Sequence, residues 1–161
     1  MFILLKLGFV LAGNNELIFL LKPTTKLVGF LTGSTSIYVL DNGYYHSKLN
    51  IIIDKSCSGF NFWILCFLIV TYSLVRFFKK TSYKILAVPS ALILAYPFTI
   101  FVNTSRIIAS VVVHAQTKRA IFNYQIIHES VGIITNLTFL VLFYYLFEKT
   151  LNSKRKYAEP A

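Results

Sequence analysis

Hydrophobic positions dominate three long stretches of this chain, with polar residues crowded between them. Residues 60–78 (FNFWILCFLIVTYSLVRFF) carry Arg76 as their one charge, near the end, where it can snorkel to an interface. Residues 85–102 (ILAVPSALILAYPFTIFV) are uncharged and contain Pro89 and Pro97, which membrane helices tolerate when neighbours satisfy the freed carbonyls. Residues 131–147 (VGIITNLTFLVLFYYLF) end in an aromatic cluster suited to an interfacial belt. Each stretch is near the ~20 residues that a bilayer crossing needs. A shorter apolar run, MFILLKLGFVLAG, opens the chain. It resembles the core of a signal peptide, but a cleavage site after Ala12-Gly13 is poorly formed, and we read it as a retained first span over about 2–13.

The polar connections have patterns of their own. Residues 16–31 place Leu17, Leu20, Leu21, Val28 and Leu31 around Lys22 and Lys26, which predicts an amphipathic helix lying on the membrane, kinked or divided at Pro23. Next, IYVL-DNG-YYHS sets Asn42-Gly43 between two β-favouring runs and predicts a tight hairpin. Residues 49–53 continue as strand. The pattern therefore predicts an all-α polytopic membrane protein: one integral membrane domain of about four transmembrane helices (2–13, 60–78, 85–102, 131–147), with an amphipathic helix and a small β-hairpin in a polar segment, 14–58.

Composition supports lipid as the solvent. The 161 residues are 56% hydrophobic and only 14% charged, against about 25% charged in an ordinary globular domain. A net charge of +10 invites a nucleic-acid reading. In so apolar a chain, basic residues instead mark cytoplasmic loops and anionic headgroups, and we expect no nucleic-acid partner. Their placement sets the topology. Arg76, Lys79, Lys80 and Lys84 crowd one short connection, and Lys149, Lys154, Arg155 and Lys156 follow the last span. Dense basic clusters in short loops face the cytoplasm. Segments 14–58 and 103–130 are then outside, and the basic tail 148–161 is inside.

Candidate chemistry gathers at the outer rim. In IIDKSCSGFNFW, Cys57 stands at the lip of the second span, flanked by Ser56 and Ser58 and followed by Gly59. A helix N-terminus and a nearby cation both favour a thiolate, and glycine permits a sharp turn. The other reading is a structural thiol beside capping serines. Arg106, in FVNTSRIIAS, is either an anchor among headgroups or a guanidinium for an oxyanion. Among the histidines, His128 is best placed, just before the last span and beside Glu129; His46 reads as a solvated hairpin residue and His114 as a helix contact. Cys57 and Cys66, about 13 Å apart along a helix, are too distant for a disulfide. Neither metal-ligand spacing nor a phosphate loop is present, so no metal or other cofactor is expected.

Cys57-Ser58-Gly59 opening one span, Asn103-x-x-Arg106 after another and His128-x-x-x-Gly132 entering the last, in that order, resemble the exosortase/archaeosortase family. The compact length is similar to its small bacterial members, such as the type K exosortases. The resemblance implies a membrane-embedded cysteine transpeptidase or protease of the bacterial cytoplasmic (inner) membrane. It would cleave C-terminal sorting signals of exported proteins (a short motif such as Pro-Glu-Pro, a hydrophobic helix and a basic tail) through a thioester. Cys57 would be the nucleophile, Arg106 would stabilise the oxyanion or position substrate, and His128 would be the general acid/base. Ser58, Gly59 and Asn103 would support them, and the acceptor would be water or a glycan or lipid amine. Two rival classes are weighed beside it. A non-catalytic scaffold or assembly factor for surface protein or polysaccharide export would tolerate loss of Cys57. A small transporter would need polar groups near the midplane, where the second to fourth spans offer mainly Thr71, Ser90 and Asn136 and no acidic residue, which disfavours proton or cation coupling.

Overall fold

The structure is a computed structural model; it describes residues 2–78, 80–117 and 124–158, with side chains at 6–78, 80–116 and 129–154. The order of elements is α1 (Phe2–Leu11), α2 (Ile18–Thr32), β1 (Ser36–Val39), β2 (Gly43–His46), β3 (Ile51–Ile53), a 3-10 turn (Lys55–Cys57), α3 (Phe60–Phe77), α4 (Thr81–Thr117) and α5 (Tyr124–Ala158). The protein is thus a mostly helical membrane protein with one small antiparallel sheet.

Three helices are long and apolar enough to cross a bilayer, among the described residues: those within Lys55–Phe77, Thr81–Gln116 and Glu129–Lys154. This is one fewer than the four expected. The difference is α1, whose 10 residues rise only about 15 Å, half of a hydrocarbon core. Instead, α1 lies along the first turns of α3. Lys6 Nζ donates to Asn61 Oδ1 at 2.7 Å, and the Phe9 and Phe60 rings stack at 4.9 Å. Lys55 closes its C-terminal end by donating to the carbonyls of Val10 and Ala12 at 3.0 and 2.6 Å.

Close packing of α3 on α4 follows from small residues. Ala87, Ala91 and Ala95 recur every fourth position and are fully buried, so the helices approach until Phe62, Cys66, Phe67 and Val70 fill the space between them. The α5 helix runs antiparallel to α4, with Phe98 stacked on Phe143 at 4.2 Å and Phe101 edge-on to Phe139 at 5.7 Å. Its other faces leave Ile133, Ile134, Leu137, Val141, Leu142 and Tyr145 exposed. A soluble surface does not carry so large an apolar area; lipid covers it. Arg76, Lys80, Lys84, Lys149 and Lys154 all stand at the end of the bundle opposite Cys57. Lys79, Lys118 and Arg119 lie outside the described residues.

The 37 residues of α4 rise about 55 Å, far more than one crossing. The helix continues unbroken through 103–117 and carries Asn103, Arg106 and Ser110 past the start of α3. Pro89 and Pro97 lie inside it on exposed positions.

The amphipathic helix α2 is present and continuous through Pro23, but its apolar face is not given to lipid. Leu20, Leu21, Thr24, Thr25 and Val28 are buried against α4 and β2, with Lys22 and Lys26 outward. The hairpin expected at Asn42-Gly43 is also present. Val39 pairs with Gly43, so Leu40, Asp41 and Asn42 form the loop. Asp41 (φ 62°) and Gly43 (φ 96°) take the left-handed conformations there. The third strand, β3, pairs with β2, His46 opposite Ile51, and leads directly into the cysteine turn.

Candidate active site

The sequence DKSCSG forms a tight corner held largely by hydrogen bonds within it. Asp54 caps the 3-10 turn: its Oδ1 accepts from the Ser56 amide at 2.9 Å and from the Ser56 hydroxyl at 2.6 Å. The Cys57 amide donates to the Asp54 carbonyl at 2.9 Å, and the Ser58 amide to that of Lys55 at 3.1 Å. Gly59, at φ 72°, then swings the chain into α3. Of the two serines, Ser58 faces the helix, its Oγ accepting from the Phe60 amide at 3.3 Å. Ser56 belongs to the turn and sets its hydroxyl 3.7 Å from Cys57 Sγ. The Ser56 hydroxyl can donate to either acceptor, the Asp54 carboxylate or Cys57 Sγ.

Cys57 and Cys66 are not joined in a disulfide and are both buried, in separate core clusters. Cys57 packs with Leu17, Leu20, Ile53, Phe60 and Ile107, so strand, both flanking helices and the turn all wall the thiol. Burial opposes any isolated charge, and a thiolate here needs a compensating cation. The Arg106 guanidinium acts on the Cys57 thiol, though burial is the larger influence on it. Its Nη2 donates to the Ser56 carbonyl at 3.4 Å, next to the cysteine. One turn earlier on α4, Asn103 donates from Nδ2 to the Cys57 carbonyl at 2.5 Å. The lip of α3 is therefore fastened to α4 by two side chains three residues apart.

Arg106 is also held from the α5 side. A Cβ on Gly132 would stand 3.1 Å from Arg106 Nε and 3.5 Å from Cδ and Cζ. Glycine here is what lets the guanidinium lie against α5. His128 stands one turn before Gly132 on the same α5 face. The His128 side chain lies outside the described residues. Glu129 is exposed and His114 half-buried on α4.

The structure corrects the reading of His46. It is fully buried, not solvated, with Nε2 2.7 Å from Thr25 Oγ1 and Nδ1 without a partner among the described residues. Antiparallel pairing turns its side chain toward α2, away from water. Burial alone holds its pKa below the ordinary histidine value.

One feature of α4 escaped the sequence reading. Thr99, Asn103, Arg106 and Ser110 fall at intervals of four, three and four, a single helical face. Each carries a buried polar atom without a hydrogen-bond partner among the described residues: Thr99 Oγ1, Asn103 Oδ1, Arg106 Nε and Ser110 Oγ. The spacing is visible in the sequence, but only with 103–117 read as a continuation of α4 does it become a stripe. Asn14 was missed too. Its Oδ1 accepts from the Lys55 amide at 2.6 Å and its Nδ2 donates to the Asp41 carbonyl at 2.6 Å, tying the hairpin to the turn.

A family description, Transmembrane exosortase (Exosortase_EpsH), matches residues 1–145 of the chain. No curated protein and no solved structure matches it.

Proposed function

This chain belongs to the transmembrane exosortase family, and from that premise we propose that it is a cysteine transpeptidase or protease acting on C-terminal sorting signals of exported proteins. The observation that carries the reading is the fastening of the Cys57 corner to α4. A buried thiol has a guanidinium beside it, and Asn103 fixes its carbonyl.

The proposed chemistry is as follows. The Cys57 proton passes to His128, and the sulfur attacks the carbonyl carbon of the sorted protein near the membrane boundary. The new S–C bond leaves a tetrahedral oxyanion, which the Arg106 guanidinium stabilises. The C–N bond then breaks, His128 delivers its proton to the departing amine, and a thioester remains on Cys57. Water or an acceptor amine, deprotonated by His128, attacks the thioester and restores the thiol. Arg106 is suited to its part because it is half-buried, with Nε lacking a partner among the described residues. Gly59 and Ser58 shape the corner, and Asn103 holds it.

The substrate in this proposal carries its own membrane helix and basic tail. Such a helix lying beside the bundle would put its juxtamembrane peptide at the depth of Cys57. The basic residues at the opposite end support a cytoplasmic orientation there by the positive-inside rule. The site would then open on the outer face of the bacterial cytoplasmic membrane.

Co-expression of tripartite C-terminal signal proteins with the wild-type chain or Cys57→Ala tests the proposal. Uncut substrate should accumulate only with the variant. Equal processing by both would remove the enzyme reading.

A further inference from the structure

Beside Cys57 lies a cavity of about 30 Å³, lined by Ile51, Ile52, Ile53, Ile107, Val111 and Ser110 together with the cysteine itself. A water needs roughly 10–15 Å³ of such space, so about two non-hydrogen atoms fit. Its walls are aliphatic except at one point. Ser110 is 6% exposed, and its Oγ has no hydrogen-bond partner among the described residues. An unpaired buried hydroxyl is costly, by about 1–3 kcal/mol, and here it stands at the edge of empty space next to a nucleophile.

We infer that this cavity is the subsite for the side chain of the residue acylated onto Cys57, and that it selects threonine. The inference rests on the proposed reaction and deepens it. Threonine carries two atoms beyond Cβ, one methyl and one hydroxyl. The isoleucines and Val111 cover the methyl, and Ser110 takes the hydroxyl, completing its own hydrogen bond. Valine has the same shape and leaves Ser110 unpaired. Leucine and larger side chains exceed the space. Serine fits but leaves the methyl half empty. A site that hydrogen-bonds a substrate hydroxyl discriminates against its isostere more sharply than an apolar pocket can.

The subsite is read by chemistry at the thiol itself, independently of any sorted protein. Purified full-length chain in detergent is treated with peptidyl chloromethyl ketones that differ only in the terminal residue: threonine, valine or leucine. Alkylation of Cys57 is followed by mass spectrometry of the Cys57 peptide. The wild-type chain should react at least about tenfold faster with the threonine probe than with the valine probe, one hydrogen bond's worth, and slowest with leucine. Ser110→Ala should bring the threonine and valine rates together while leaving leucine slow. Ile107→Val, which enlarges the cavity without touching Ser110, should raise the leucine rate and keep the preference for threonine over valine. Equal threonine and valine rates in the wild-type chain would overturn the inference, as would a Ser110→Ala protein that keeps the preference. If instead Cys57→Ala leaves processing in cells intact, the reaction is wrong, and the alkylation rates still report what the cavity selects.

Discussion

The side-chain amide of Asn103 donates to the main-chain carbonyl of Cys57 at 2.5 Å, across an interface between residues 46 positions apart in the chain. The bond sits where the 3-10 turn becomes α3. There the Cys57 carbonyl lies just ahead of the first turn of α3, which Gly59 enters in the left-handed conformation. Asn103 therefore does for this corner what a main-chain amide does inside a helix, and it fixes the cysteine relative to α4.

Asn103→Ala should remove the hydrogen bond to the buried Cys57 carbonyl, at about 1–3 kcal/mol. The expected result is normal membrane insertion, a lower melting temperature in detergent and a large loss of processing. Asn103→Asp should be no better, since a carboxylate offers the carbonyl no donor at neutral pH. Processing assays beside thermal melts of the purified variants separate the two effects.

Gly59→Ala puts a Cβ 3.0 Å from Asn103 Cγ and 3.2 Å from its Oδ1, on a backbone at φ 72°. Left-handed backbone costs an ordinary residue about 1–2 kcal/mol, and the contact pushes Asn103 off the Cys57 carbonyl as well. This substitution should resemble Asn103→Ala in both assays. In the double variant the losses should add to less than their sum, because both remove the same bond.

Gly132→Ala brings a methyl to 3.1 Å from Arg106 Nε, so the guanidinium must shift. Processing should fall in steps from glycine to alanine to leucine at this position, while membrane insertion stays unchanged. Arg106→Lys should fail to replace arginine, because an ammonium cannot reproduce a planar fork that lies against α5 and donates to the Ser56 carbonyl. A Gly132→Leu protein as active as the wild type would show that Arg106 is not needed where it stands.

His46 makes stability depend on pH. Its folded pKa is below the ordinary value, so in the unfolded chain the imidazole takes a proton at about pH 6.5 while the folded protein still refuses it. Full stability is expected above that pH, with a progressive loss as pH falls below it toward the folded pKa. Melts between pH 8 and pH 5 should show this fall, and His46→Gln should flatten it. Cleavage of the 36–53 region by added protease should rise over the same range in the wild-type chain.

Much of this architecture is legible in the order of residues. The three long crossings stand out because a run of apolar side chains has only lipid or a core to go to. The hairpin at Asn42-Gly43 is legible because Asp41 and Gly43 adopt backbone that few other residues accept. The quoted motifs at Cys57, Asn103 and Arg106 were equally visible, and the structure brings those three residues into one neighbourhood. What misled was partnership. An amphipathic α2 reads the same whether its apolar face meets lipid or α4. A histidine in a strand reads the same on either face until the partner helix is known. The stripe from Thr99 to Ser110 was hidden because nothing local says how far a membrane helix continues beyond the bilayer.

The sequence by itself determined that this chain lives in a membrane, where its three long crossings lie and which residue types stand at their ends, because transfer of apolar surface from water depends on composition and period alone. Only the tertiary structure decided that the cysteine corner is bolted to α4, that Gly132 makes room for Arg106, and that a small cavity with an unsatisfied serine opens beside the thiol. Those are properties of contacts between segments far apart in the chain, and a contact has no energy until both of its sides are in place.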